Sequence, residues 1–395
     1  MPARGHLRSL SPDRGAGGAV SVSFEHVRIA DGVEQLPKSE WQRLVAGRPA
    51  LRLEVLRAIA SAATRPLPLK IFLLEDQWGL AAAAICEPVA ADSAYNPLDA
   101  LLYGRVARAA RRLGLSTQPV LVFNVPLARQ TPVVFRPADT TEQRRFLGRL
   151  LDHIEAFANT LKFGIAFVGV TPEDEPLWTA LRSRRYLGSE FESTASLEIQ
   201  WPDFEGYVAH LRKRSKNAAQ TARAERNRNR KGGVSIRQVQ CSDAVAEAYY
   251  VITRDHYRRK NGRDPLYGPR FIPQLSAAIG DDLLIFEAVR DGERVAMMAV
   301  VRSEAVGWVG WIGVVQRDRR NDFTYANMVF YHPADWAPAL GLKTLLYGTA
   351  AQQAKLRRGC RLLACHLFYR PHRRIVRLIA RPYVAIHQAW HRRKR

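Results

Sequence analysis

Between Leu211 and Lys231 nine lysines and arginines face a single acid, Glu225. Such a density of cations can hold phosphate groups. At 100° per residue Phe204, Tyr207, Leu211, Ala218 and Ala222 share one stripe, so a helix here docks through a narrow apolar seam and turns its bases outward. A charge run is ordinarily a solvated face. Like charges at i and i+4 repel, however, so this helix is costly without an anion nearby. Arg214 follows Leu211 by three positions, and its stem can lie along the seam while its fork reaches an anion. Arg214 and Asn217 are therefore expected to face a cleft rather than bulk solvent.

A second segment, Gly307-Trp308-Val309-Gly310-Trp311-Ile312-Gly313-Val314-Val315, alternates tryptophan with glycine. It reads as a strand whose open backbone suits close approach of a ligand. The loop that follows carries Arg317, Arg319 and Arg320 and leads into a helix at Thr324 or Tyr325. Free amides and the helix dipole would make that junction an anion site, against the alternative of an ordinary polar loop. Further on, the chain reads as a helix ended by Gly341, a short strand, and a basic turn around Lys355 to Gly359. The sequence contains no P-loop, dinucleotide glycine fingerprint, HExxH or GxSxG, which argues against nucleotide hydrolysis, dehydrogenation and serine hydrolysis.

The elements that must position these segments follow an α/β order. Residues 1–19, rich in Gly, Pro, Ser and Arg, are expected to be a disordered leader. Val20 to Phe24 alternates as a first strand, and Pro37 to Trp41 opens a helix with a serine cap, followed by another helix around 50–63. Leu69 to Glu75 and Leu80 to Glu87 form a hairpin over Asp76-Gln77-Trp78-Gly79. A helix at 101–112, a strand at 119–124, a long helix at 141–162 and a strand-helix-strand unit ending near Gln200 complete the first half. The second half repeats the order: one helix from Asp203 to the paired glycines Gly232-Gly233, a strand at 234–238, a helix at 244–260, and a hairpin of Leu283 to Val289 with Arg294 to Arg302. The two hairpins lie a domain's length apart, so duplication into two similar α/β domains, 20–200 and 201–375, is expected, with a basic tail at 376–395.

Composition agrees with a folded chain: of 395 residues 47% are hydrophobic and 25% charged. The net charge of +23 is uneven, +3 for residues 1–200 and +20 for residues 201–395, so the second half tolerates or needs a polyanionic partner. Four cysteines, Cys86, Cys241, Cys360 and Cys365, do not form a secreted disulfide framework, and Cys360 and Cys365 lack the paired spacing of a zinc site. They read as buried thiols. No metal ligand set, no membrane span and a cytoplasmic location are expected.

Two stretches, FEGYVAHLRKRSKNAAQTARAERNRNRKGGVSI and GLKTLLYGTAAQQAKLRRGC, resemble the Fem-like and BioF2-like branch of the GNAT acyltransferase superfamily. The likeness covers about 200–370 closely and 20–200 by element order. Ala218-Ala219 stands where arginines are frequent in that branch, and no helical-hairpin insertion of the kind found in tRNA-using members is evident. The resemblance implies two tandem GNAT-like domains with mixed central sheets and acyl transfer to an amine acceptor by direct attack, without a metal, a tightly bound cofactor or a covalent intermediate. It further implies that strand amides at Gly310 to Val315 polarise the acyl carbonyl, that Tyr325 serves as general acid, and that Glu287 or His256 accepts the amine proton. Arg317, Arg319, Arg320, Arg214, Asn217 and Lys355 are then the expected donor-binding residues.

The donor implied is a thioester, acyl-CoA or an acyl carrier protein. The alternative is aminoacyl-tRNA, favoured by the second half's charge and disfavoured by the missing hairpin. A third class, a nucleic-acid-binding protein, would explain the basic helix and the tail His391-Arg392-Arg393-Lys394-Arg395 but not two full α/β domains.

Overall fold

The computed structural model describes residues 25–91, 93, 98, 99, 112, 116–315, 322–373, 376 and 378. The expected leader, the strand at Val20–Phe24, the helix at 101–112 except Arg112, the loop bearing Arg317, Arg319 and Arg320, and nearly all of the basic tail lie outside the described residues.

Among the described residues thirteen strands form one sheet: β1 (His26–Asp31), β2 (Lys70–Asp76), β3 (Gly79–Val89), β4 (Val120–Phe123), β5 (Val133–Phe135), β6 (Gly164–Val170), β7 (Leu187–Glu198), β8 (Ser235–Val239), β9 (Leu283–Arg290), β10 (Glu293–Ser303), β11 (Val306–Val314), β12 (Thr344–Tyr347) and β13 (Arg361–Arg370). Their spatial order is β1-β2-β3-β4-β6-β13-β7-β12-β11-β10-β9-β8, with β5 alongside β3. All neighbours are antiparallel except β4 with β6 and β11 with β12. Read inward from either edge, the series is the same: three antiparallel pairs, one parallel pair, one antiparallel pair. Each half thus contributes six strands of one topology, and the two hairpins foreseen from alternation, β2–β3 and β9–β10, occupy equivalent places.

The join is an exchange. β7 pairs with β12 of the second half, and β13 pairs with β6 of the first, so each half-sheet is completed by a strand from the other half of the sequence. β7 and β13 then pair with one another from Leu187 to Ser196 and close the sheet into a single body. Three strands, β1, β5 and β13, were not foreseen, β1 lying beyond the expected Val20–Phe24; each pairs with a strand far away in sequence.

Helices cover both faces. On one face Leu53–Ala62 packs against Phe271–Ile279, a helix with no clear sequence signal, and the two halves share one core that includes Trp41, Leu56, Phe271, Trp308 and Trp311. The chain segments are stitched there by Thr64 N–H to Leu266 C=O (2.7 Å) and Gly268 N–H to Ala62 C=O (2.7 Å). On the other face the second half has its own core around Tyr207, Phe286, Phe330 and Tyr347, and the first half one around Phe72, Phe123, Leu150 and Phe167.

Two local expectations need correction. The helix at Lys38–Leu44 has Pro37 as its N-cap and no side-chain cap, because Ser39 already lies inside the first turn. The basic segment is two helices, Phe204–Arg214 and Lys216–Lys231, broken at Ser215. Ser215 takes an extended backbone (φ −161°) and its hydroxyl accepts the Ala218 N–H (3.3 Å), so it caps a new helix. The break lets both helices lay apolar residues on the same core, which one straight amphipathic rod with so thin a seam could not.

Candidate active site

The parallel pair in the second half parts company early. β11 is bonded to β12 only from Val306 to Val309, yet β11 continues to Val314 while remaining bonded to β10 on its other side. Among the described residues no strand pairs with the outer edge of Gly310 to Val314, although side chains reach two carbonyls of the stretch, Tyr249 Oη donating to Trp311 (2.9 Å) and Arg259 to Val314. Backbone amides that no strand takes up, at the gap where the two strands part, are the condition in which a strand can bind an extended ligand or stabilise an oxyanion.

A cavity of about 1140 Å³ opens over that gap, between the two halves. Its second-half wall includes Gly310, Ile312, Tyr257, Gly348 and Thr349, and its first-half wall includes Arg48, Thr131, Asp174 and Glu192. Two first-half arginines on the wall are already paired: Arg65 with Glu87 (2.6 Å) and Arg129 with Glu192 (3.3 Å).

The three glycines of β11 do different jobs. A Cβ on Gly313 would come 2.7 Å from the Thr253 Cα and N, so this glycine admits the backbone of the helix Asp243–Asn261. A Cβ on Gly307 would meet Leu345 Cδ2 at 2.8 Å, so it serves sheet packing. Only Gly310 has room, its nearest neighbour being the Trp308 ring at 3.4 Å, and it alone fits the expectation of an open approach for a ligand.

The sequence candidates separate into groups. None of Glu287, His256, Tyr325 and Lys355 lines the cavity itself, and Glu287 is buried on β9. Burial would raise its carboxyl, but Arg294 (2.6 Å) and Arg237 (2.8 Å) hold it below the usual carboxylate range. A carboxylate so neutralised is a poor base, so the geometry turns against that role. His256 is half-buried next to the open edge; burial lowers its pKa, partly offset by a hydrogen bond to the Val314 backbone, so its imidazole is neutral at neutral pH. Tyr325 is half-buried at the start of the helical segment Thr324–Tyr331, on the face opposite His256, and burial lifts its hydroxyl so that it stays protonated.

Tyr325, Lys355 and Arg214 gather around Cys360. Lys355 is buried, its ammonium donates to the Gly348 carbonyl at the end of β12, and burial lowers its pKa to about 8. Arg214 is exposed and donates to the Gly359 carbonyl (2.9 Å), which fastens the turn before β13, so it does not face the cavity. Asn217 is exposed and points to solvent rather than to the cavity. Burial pushes the Cys360 thiol up to about 12 and Cys365 up to about 11, so neither supplies a thiolate. Among the described residues no cluster of three His, Cys, Asp or Glu could hold a metal, and no helix is long and apolar enough to cross a membrane.

Beneath the gap a buried network fixes the helical segment. Glu225 accepts from Tyr331 Oη (2.5 Å) and Arg358 Nη2 (2.6 Å), and Arg358 Nε donates to Tyr331 Oη (3.1 Å). The single acid of the basic run is thus structural. Arg226 pairs with Asp335 (2.5 Å) over the Phe204 ring, and Arg223 pairs with Glu205 at the surface, so two of the run's charges are matched within the chain.

The first-half wall was missed from sequence. Arg48, Thr131 and Asp174 come from three separate segments in a half with a net charge of only +3, and none sits in a motif.

The matching family model is FemAB-like, described as peptidoglycan biosynthesis/recognition, over residues 32–392. The chain belongs to this family. It is accordingly an acyl- or aminoacyl-transferase, its mixed sheet built from two halves of one topology. Among solved structures, a conserved protein of unknown function from Bacteroides thetaiotaomicron is similar at 12% identity, with a TM-score of 0.54, 87% of this chain and 100% of that chain covered. FemX gives 9% identity and a TM-score of 0.52 over 82% and 97%. The C-terminal domain of a putative lysylphosphatidylglycerol synthetase from Agrobacterium fabrum gives 11% and 0.51 over 90% and 95%. At these identities the likeness is one of fold. No curated protein matches the sequence.

Proposed function

We propose that this FemAB-like chain transfers an acyl group from a thioester donor, acyl-CoA or a carrier protein, to an amine acceptor held in the cavity between its halves. The observation that carries the reading is the edge of Gly310 to Val314, which no strand covers among the described residues and which opens onto that cavity. An extended donor arm laid along this edge gains strand-like hydrogen bonds, and the same amides polarise its acyl carbonyl without reorganisation at the moment of attack. His256, neutral and beside the edge, takes the amine proton through water. Tyr325, protonated across the neutral range, is the proton donor on the leaving-group side, and Lys355 adds a positive charge at the end of β12. The Arg317, Arg319 and Arg320 loop that follows β11 would meet the donor's phosphates.

A second reading, aminoacyl-tRNA as donor, is favoured by one observation. Arg212, Lys213, Lys216, Arg228, Arg230 and Lys231 are exposed and make no ion pair among the described residues. The deciding experiment measures thermal stabilisation of the purified chain by acetyl-CoA, a longer acyl-CoA and bulk charged tRNA. A ligand at a hundred times its Kd adds about 2.7 kcal/mol. Stabilisation by a coenzyme thioester and none by tRNA supports the first reading; the converse selects the second; no response to any of them removes both.

A further inference from the structure

Arg48 stands between two first-half helices, after Gly47 and before the short turn Pro49–Leu51. Its guanidinium is half-buried and, among the described residues, makes no side-chain hydrogen bond or ion pair. It lines both the main cavity and a second one of about 300 Å³. Thr131 lines the same two cavities; it is 8% exposed, and its Oγ1 is buried without a hydrogen-bond partner. A buried polar atom left unmatched costs about 1–3 kcal/mol, so Thr131 Oγ1 calls for a partner, and the unpaired Arg48 fork lines the same two cavities.

The surroundings sharpen this. Thr131 is held rigidly, because the preceding Gln130 backbone packs on Gly169 (φ +86°), where a Cβ would lie 2.9 Å from the Gln130 oxygen. Asp174, the acid nearest Arg48, turns its Oδ2 to the Thr171 amide and hydroxyl (2.9 Å each) and reaches Arg48 only through space. Burial raises the Asp174 carboxyl, which weakens it further as a counter-ion. The neighbouring Arg65 and Arg129 have their carboxylates already. Arg48 is therefore the one arginine in this wall whose fork is preset for an incoming oxyanion, with a hydroxyl donor at hand.

We propose that Arg48 and Thr131 form an oxyanion subsite that takes the carboxylate or phosphate of the acceptor, an assignment that rests on the transfer reading above. The subsite belongs to the wall opposite the open β11 edge, so acceptor and donor enter from different halves. It restricts the acceptor to amines that carry an anionic group.

The test titrates the full chain with inorganic phosphate and, separately, with acetate at constant ionic strength, followed by thermal shift and calorimetry. A saturable response is expected from the wild type. Arg48→Gln should weaken it by about tenfold or more and Thr131→Val by about threefold, while Arg263→Gln, an exposed arginine on the same cavity, stays within about twofold. Response to phosphate alone assigns a phosphate, to acetate alone a carboxylate, to both the shared oxyanion chemistry. Circular dichroism checks folding; should Arg48→Gln not fold, Arg48→Lys, which keeps the charge and loses the fork, is expected to weaken binding in the same direction. A wild type without a saturable response, or equal losses in Arg48→Gln and Arg263→Gln, overturns the subsite. No turnover is read, so its failure leaves the donor reading standing, and failure of the donor leaves this one standing.

Discussion

The two halves of the sheet share one strand order and differ where the parallel pair parts. In the first half β4 is bonded to β6 along its whole length, Val120 to Phe123, and then ends. In the second half β11 outruns its partner by the stretch Gly310 to Val314. The first half's overhang is on the other strand of the pair, β6, from Val168 to Val170, and there the Gln130 backbone lies against Gly169, so among the described residues this half meets the cavity mainly through side chains: Arg48, Thr131, Asp174 and the two ion pairs. One topology has been put to two uses, backbone recognition in one half and side-chain recognition in the other. The charge difference, +3 against +20, falls on the same division.

The comparison can be broken at several points. Glu225→Ala strands Arg358 in a mostly buried site beneath the gap and is expected to cost about 3–5 kcal/mol in denaturant unfolding, whereas Glu175→Ala, removing the half-exposed Arg144–Glu175 pair of the first half, should cost under about 1 kcal/mol. Equal costs would mean that the second half is not specially braced. Within β11, Gly313→Val forces a side chain into the Thr253 backbone and should cost about 3 kcal/mol, while Gly310→Val should leave stability within about 1 kcal/mol and raise the donor's KM by about tenfold. A silent Gly310→Val in donor binding would deny the bare edge its role.

Acid stability gives a smaller effect. Burial lowers His332 from 6.5 to about 4, so between those values the unfolded chain binds a proton that the folded chain does not. Stability should fall as pH drops from 6.5 toward 4, on the order of 2 kcal/mol, and His332→Gln should flatten that slope in urea titrations. The smallest effect is on the surface: replacing Arg212, Lys213 or Lys216 by Gln should change stability by under about 0.5 kcal/mol each. If the coenzyme reading holds, donor binding is unmoved as well; if tRNA is the donor, its logarithmic salt slope becomes shallower.

The hairpins were legible because alternation and a glycine turn are local signals, the Trp/Gly alternation located β11, and the two family-like stretches held the basic helices and β12. The break at Ser215 was not, since a single extended residue leaves the basic periodicity on either side intact. Glu287 was a candidate base only through the family resemblance; Arg237 and Arg294, which neutralise it, come from the strands on either side of β9. The wall carrying Arg48 was invisible for a related reason: its residues acquire meaning only when three remote segments meet.

The exchanged strands set the order in which the molecule can be finished. While the chain is being synthesised, β6 has one satisfied edge and one bare edge until β13 emerges, some 200 residues later. At about 5–20 residues per second that is a wait of roughly 10–40 s with an exposed, apolar strand. The first half cannot be released, cut out or swapped as a finished module, because β13, far along the chain, is the strand that locks both halves.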